Sequence, residues 1–275
     1  MKKETEGYVL VGIGEDYVNL CKNLIQTLRL NGDNRDVFVL TEPTDDALTR
    51  SARTEFERFG TIPKITLDTY LPFDHNIFLD ADSLCSANTD HVWEWVKSDD
   101  QFIKQVGTEE RNSKYFPMDA IHRYEEELGF SIPKVHGGFI YLNKNTLNVD
   151  FFKWMREEAF PNYRKILHST PLSYKRSRPD QEIFSLAHGK FGLKVWEIWD
   201  HPIITITRDV RTFPANYVHF GDRGVNRDGP HFDTPVPFIH VFKGKYAPHY
   251  GESGGTKYHM PHYGEMYDSI VKLRS

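Results

Sequence analysis

The feature that most restricts the fold of this chain is the alternation within its first 80 residues of short apolar runs and amphipathic stretches. YVLVGIG (8–14) is an apolar run closed by glycines. DVFVLTE (36–42), KITLD (64–68) and NIFLD (76–80) follow it. Apolar runs of this length, bounded by turn formers, read as buried strands. Between the first two, residues 16–30 place Val18, Cys21, Leu24, Ile25 and Leu28 at helical spacing, with Asp16 as the candidate N-cap. Residues 44–59 are polar with helical character. Strand, helix, strand, helix, strand predicts an α/β architecture, a mostly parallel Rossmann-like sheet flanked by helices. Right-handed crossovers then gather the strand ends on one edge, and ligands of such sheets bind at the carboxyl edge.

That edge receives a specific set of residues: Gly12 and Gly14 from the first run, Thr41 and Glu42 from the second, Asp80 and Asp82 from the fourth. The two glycines allow close approach of backbone to a ligand. GIGEDY lacks the third glycine of the dinucleotide fingerprint, and a tight strand-to-helix turn explains it equally well. Tyr17, Thr41 and Glu42 are candidates for contact with a base or ribose. The aspartates are the stronger signal, because two carboxylates held this close repel unless something positive sits between them. Hard oxygen donors with open positions suit Mg²⁺ or Mn²⁺, which take phosphate oxygens as further ligands. The alternative is that both aspartates cap the following helix or form a polar turn.

Bulk properties remove other classes. A formal charge of −5 does not favour a nucleic-acid or anionic-membrane surface. The start, MKKETEG, is polar with no apolar h-region, and no run approaches a membrane span. Two cysteines do not make a disulfide framework, so a reducing, cytoplasmic setting is expected.

The second half reads as a helix at 91–97, a polar mixed segment at 101–134, and a strand entered through two glycines, KVHGGFIYLNKNT (134–146). Then come an amphipathic helix at 151–160, a basic loop leading into a helix at 168–189, and a strand, VPFIHVFKGK (236–245), before a tail with a short helix near 263–273. No repeat or long linker divides the chain. One compact domain is expected, with a nucleotide-binding half (about 1–100), a sugar and acceptor half (about 101–245) and a tail (246–275).

Read together, FDHNIFLDADSLC, YVLVGIGEDYVNLCKNLIQTL, HGGFIYLN, RPDQEIFSLAHG and FIHVFKGK resemble, in the required order, motifs of nucleotide-sugar glycosyltransferases with the GT-A fold. The similarity is greatest to the group containing glycogenin, galactinol synthase and the bacterial lipopolysaccharide galactosyltransferases, and it spans roughly residues 8–245. The resemblance implies a D-x-D metal site at Asp80 and Asp82, completed by His240, and a lysine, Lys243 or Lys245, on the diphosphate. It implies that the segment holding Gly138 shapes the sugar pocket and that Asp180 and Gln181 lie beside the reacting sugar. It also implies Mn²⁺ or Mg²⁺ as cofactor, a UDP-sugar donor, a glycan or glycoprotein acceptor, and retention of configuration. The departures are His136 in place of an asparagine, Glu182 in place of an aspartate, and a glycine four rather than three residues after His240, with His219 as a rival ligand.

The chemistry fits these pieces. Charge grows on the departing diphosphate, where a divalent ion and an ammonium stabilise it. An oxocarbenium-like sugar favours carboxylate and amide oxygens, and Asp180 and Gln181 offer both, although Pro179 and Asp180 are also ordinary helix-start residues. Asp82 is the expected direct ligand, with Asp80 sharing the metal or holding ribose hydroxyls. A sugar-nucleotide nucleotidyltransferase is the runner-up, but its phosphate loop carries bases and GIGEDYVNL has none before Lys22. A non-catalytic carbohydrate-binding relative is the other alternative.

Overall fold

The computed structural model describes residues 4–41, 61–109, 125–162, 179–197, 204–207, 238–241, 267–268 and 270–272. The chain begins with β1 (Glu6–Val11), α1 (Glu15–Leu30) and β2 (Asp36–Leu40), then α2 (Thr61–Ile65) and a 3₁₀ turn (Leu67–Thr69). β3 (His75–Leu79), β4 (Ser83–Cys85) and α3 (Asp90–Val96) follow, then β5 (Ile103–Lys104), β6 (Val106–Thr108) and α4 (Glu125–Leu128). β7 (Lys134–Val135) and β8 (Phe139–Asn143) precede α5 (Val149–Trp154), which continues as a π-helical turn over Met155–Ala159. α6 (Pro179–Lys190), β9 (Trp196–Glu197), β10 (Ile204–Thr207) and β11 (Phe238–Val241) come last.

The main sheet has the order β2-β1-β3-β8-β5. β1 pairs parallel with β2 and β3, whereas β8 runs antiparallel to both β3 and β5. The pleat sorts its side chains cleanly. Tyr8, Leu10, Ile77, Leu79, Phe139 and Tyr141 join α1 and α3 in one core. Val9, Phe78, Ile140 and Leu142 face the other way, onto Phe151 and Phe152 of α5 and Ile183 and Phe184 of α6. Both faces are therefore covered, which is why the strands read as continuous apolar runs rather than alternating ones. Each such large side chain contributes about 1.5–3 kcal/mol on burial.

Three sequence expectations change. KITLD is not a strand: it is the end of α2 and the following 3₁₀ turn. Pro63 lacks the N–H that a ladder needs but is tolerated in the first turn of a helix. The 134–146 strand is interrupted, since residues 136–138 form a turn between β7 and β8 and the chain leaves β8 through a 3₁₀ turn at Lys144–Thr146. α1 is capped at Gly14, which has φ +89°, and Asp16 lies inside its first turn. The helical expectation for 44–59 falls outside the described residues. Among the described residues no helix is long and apolar enough to cross a membrane, and Cys21 and Cys85 are both buried.

Candidate active site

Parallel pairing brings the carboxyl ends of β1, β2 and β3 level. Val11 sits opposite Leu40 and Leu10 opposite Leu79, so Gly12, Thr41 and Asp80 leave the sheet side by side. The Gly12 N–H still donates to the Leu40 carbonyl at 2.9 Å. A Cβ on Gly12 would come within 3.0 Å of Cys21 Sγ and 3.3 Å of the Val18 backbone, so a larger residue would have to push the loop and α1 slightly apart. Gly14 is exposed and its carbonyl starts α1, accepting from Tyr17 and Val18 N–H. Thr41 is exposed. Tyr17 is half-buried and packs against the core.

Asp80 is held by its own backbone, whose N–H donates to the Gly138 carbonyl at 3.1 Å while its carbonyl accepts from Ser83 N–H at 3.0 Å. That turn projects Asp80 and Asp82 at the rim, both half-buried. The negative charge of Asp82 reaches back to Cys21: burial first, and then Asp82, push its thiol up to about 12. Asp82 thus lies on the side of the Gly12 loop. β4 opens immediately afterwards and pairs with β11 so that Ser83 faces His240. The backbone carrying His240 therefore runs one residue from Asp82.

The positive charge beside Asp80 is Lys64, a residue that the strand-like pattern of KITLD conceals. Its ammonium lies 2.7 Å from Asp80 Oδ1 and 2.6 Å from Asp180 Oδ2, and it donates to the Gly137 carbonyl at 3.2 Å. Burial acts to lower its pKa, but the charges of Asp180 and Asp80 outweigh burial and hold Lys64 above the ordinary lysine range. The available signal was a lone lysine inside the apolar stretch TIPKITL, because a buried ammonium requires an anionic partner.

Asp180 is buried in the first turn of α6, and Gln181 beside it is half-buried. A Cβ on Gly137 would stand 3.0 Å from Asp180 Oδ2 and 3.7 Å from Gln181 Cβ, so the glycine pair of the 136–138 turn makes room for these two residues. Asp80, Gly138, Asp180 and Gln181 are thus gathered around Lys64, with Asp82 two residues beyond Asp80. Lys243, Lys245 and His219 lie outside the described residues.

The donor set at the rim is hard oxygen, which suits a divalent ion of the Mg²⁺ or Mn²⁺ type. A carboxylate has about four lone-pair sites, so Asp80 is able to accept from Lys64 and still serve an ion. Among the described residues no three His, Cys, Asp or Glu are grouped closely enough to hold a metal.

No protein-family model matches the chain, and no curated relative matches it in sequence. Solved structures do. One is the galactosyltransferase LgtC in complex with donor and acceptor sugar analogues, at 12% identity and a TM-score of 0.52, covering 98% of this chain and 95% of that one. Mouse xyloside xylosyltransferase 1 is 11% identical with a TM-score of 0.50, covering 86% of this chain and 97% of that one. The bifunctional glycosyltransferase WbbM is 12% identical with a TM-score of 0.55, covering all of this chain and 50% of that one. The mixed sheet with helices on both faces is therefore the GT-A glycosyltransferase fold.

Proposed function

We propose that residues 1–275 form a single GT-A domain of a metal-dependent glycosyltransferase. It moves a hexose from a nucleotide sugar, a UDP-sugar by preference, to a glycan or glycoprotein acceptor, with retention, in the cytoplasm. Within that fold the reading places it with the glycogenin, galactinol synthase and lipopolysaccharide galactosyltransferase group. The observation that carries it is the convergence of Asp80 and Asp180, a hundred residues apart, on one buried ammonium at the carboxyl edge of the sheet. A purely structural ion pair would not call for a glycine turn opened beside it or for an exposed Gly14 just beyond the neighbouring strand end.

Asp80, Asp82 and His240 would hold the divalent ion. When bound, that ion supplies a Lewis acid for the charge on the departing diphosphate. The chain's own groups do the rest. The Gly12–Gly14 loop offers bare backbone to the nucleotide, with Tyr17 and Thr41 flanking base and ribose. Lys64 holds Asp80 and Asp180 fixed in space through its two ion pairs, so that they need no reorganisation as charge develops. The Asp180 carboxylate and the Gln181 amide oxygen stand ready for positive charge on the sugar. Lys243 or Lys245 adds a cation to the diphosphate.

The test is turnover of a panel of nucleotide sugars with and without Mn²⁺, alongside Asp82→Ala. Mn²⁺ should accelerate hydrolysis or transfer with one UDP-sugar. Asp82→Ala should abolish that acceleration with an unchanged melting temperature, because Asp82 is only half-buried. Turnover indifferent to both metal and Asp82 refutes the reading.

A further inference from the structure

Among the described residues, one turn touches every member of the Lys64 cluster. The Gly137 carbonyl accepts from Lys64 Nζ, the Gly138 carbonyl accepts from Asp80 N–H, and the bare Cα of Gly137 borders Asp180. Two adjacent glycines are the most flexible pair a chain contains, so something must hold this turn in shape. The Gly138 N–H donates to Nδ1 of His136 at 3.2 Å. A side-chain acceptor bonded to the backbone N–H two residues on is the arrangement of an Asx turn, made here by an imidazole. To accept, Nδ1 must carry no proton, so the ring is neutral with its proton on Nε2.

The backbone of His136 is pinned twice more. Its N–H donates to the Val106 carbonyl at 2.8 Å, and its carbonyl accepts from Gln105 Nε2 at 3.3 Å. With the amide nitrogen of Gln105 committed to His136, its Oε1 accepts from Nε2 of His188 at 2.9 Å. Gln105 and His188 are fully buried and His136 is 2% exposed. Water cannot substitute for a broken link in such a relay, so each link weighs more than a surface bond. The relay runs from α6, which carries Asp180 at its other end, through the β5–β6 segment to the glycine turn and Asp80.

We infer that His136 is a positioning residue for sugar transfer, its neutral Nδ1 holding the glycine turn that fixes Lys64, Asp80 and Asp180 relative to one another. This rests on the glycosyltransferase reading above. The bland alternative is a histidine that merely fills space. The two differ in what can replace it. An asparagine carries a carbonyl oxygen that makes the same bond to Gly138 N–H, whereas a leucine fills the space and makes none.

The experiment compares wild type, His136→Asn and His136→Leu by steady-state transfer kinetics, UDP affinity and melting temperature. Selective ¹⁵N-histidine NMR on the unaltered protein reads the ring tautomer, with His136→Asn identifying the signal. The expected result is a neutral Nε2–H tautomer in the wild type. His136→Leu should lose about ten- to a hundredfold in kcat, the scale of a slight misplacement of reacting groups, at little-changed UDP affinity. His136→Asn should recover most of that loss. A cationic or Nδ1-protonated His136 in a transferring wild type overturns the inference alone, as do equal losses, or no losses, in the two variants. A wild type that transfers from no nucleotide sugar, with His136 in the expected tautomer, sinks the reading of function instead.

Discussion

Replacing Lys64 by methionine is the sharpest test of the cluster, because it keeps most of the volume and deletes only the charge. The side chains of Lys64, Asp80 and Asp180 are 10%, 19% and 9% exposed, so solvent screening is weak. Two bonds of 2.7 and 2.6 Å through one nitrogen place the carboxylate oxygens no more than about 5 Å apart. At an effective dielectric of ~20, two negative charges at that distance repel by roughly 3 kcal/mol. Removing one partner of a buried charge cluster costs about 3–5 kcal/mol. Both routes give a loss of about 3–5 kcal/mol at neutral pH for Lys64→Met, measured by urea denaturation followed through tryptophan fluorescence. Adding Asp180→Asn to Lys64→Met removes the repulsion, so the double variant should be more stable than the two single losses sum to, by about 1–3 kcal/mol. In the wild type Lys64 sets the alkaline limb, where stability falls as pH rises. The raised pKa of Lys64 contributes stability that is complete below the unfolded lysine value of about 10.4 and is lost only as pH rises through the higher folded value. A loss under about 1 kcal/mol, or strictly additive single variants, would refute a buried, shared ammonium.

Gly137→Ala inserts a Cβ 3.0 Å from Asp180 Oδ2. It should lower kcat by about tenfold or more while UDP affinity holds, and unchanged kinetics would mean that Asp180 does not need its present place. Burial pushes His188 down to about 4. A base whose folded pKa is depressed contributes stability present above its unfolded value of about 6.5 and lost as pH falls toward the folded one, here roughly 3 kcal/mol between about pH 7 and pH 4. His188→Phe should flatten that part of the urea-derived stability profile, and an unchanged slope would show that His188 is not buried neutral.

The local sequence already determined the parallel half of the sheet and the rim it presents. An apolar run that ends in glycine or acid specifies a strand and its exit without help from the rest of the chain, so Gly12, Thr41 and Asp80 could be placed at one edge from residues 8–80 alone. The Asp180–Gln181 start of α6 was legible for the same reason, through ordinary helix-start chemistry. Lys64 was not legible. KITLD satisfies a strand pattern, and only Pro63 and the packing of α2 against α6 turn it into a helix that buries its lysine. The two acids that make such burial tolerable lie 16 and 116 residues further along. His136 was visible only as an oddity, because a hydrogen bond from its ring to Gly138 depends on a turn that the apolar run 134–146 conceals. Periodicity reports which face of an element is apolar. It carries no information on which buried charge meets which, and that pairing is set by tertiary contact alone.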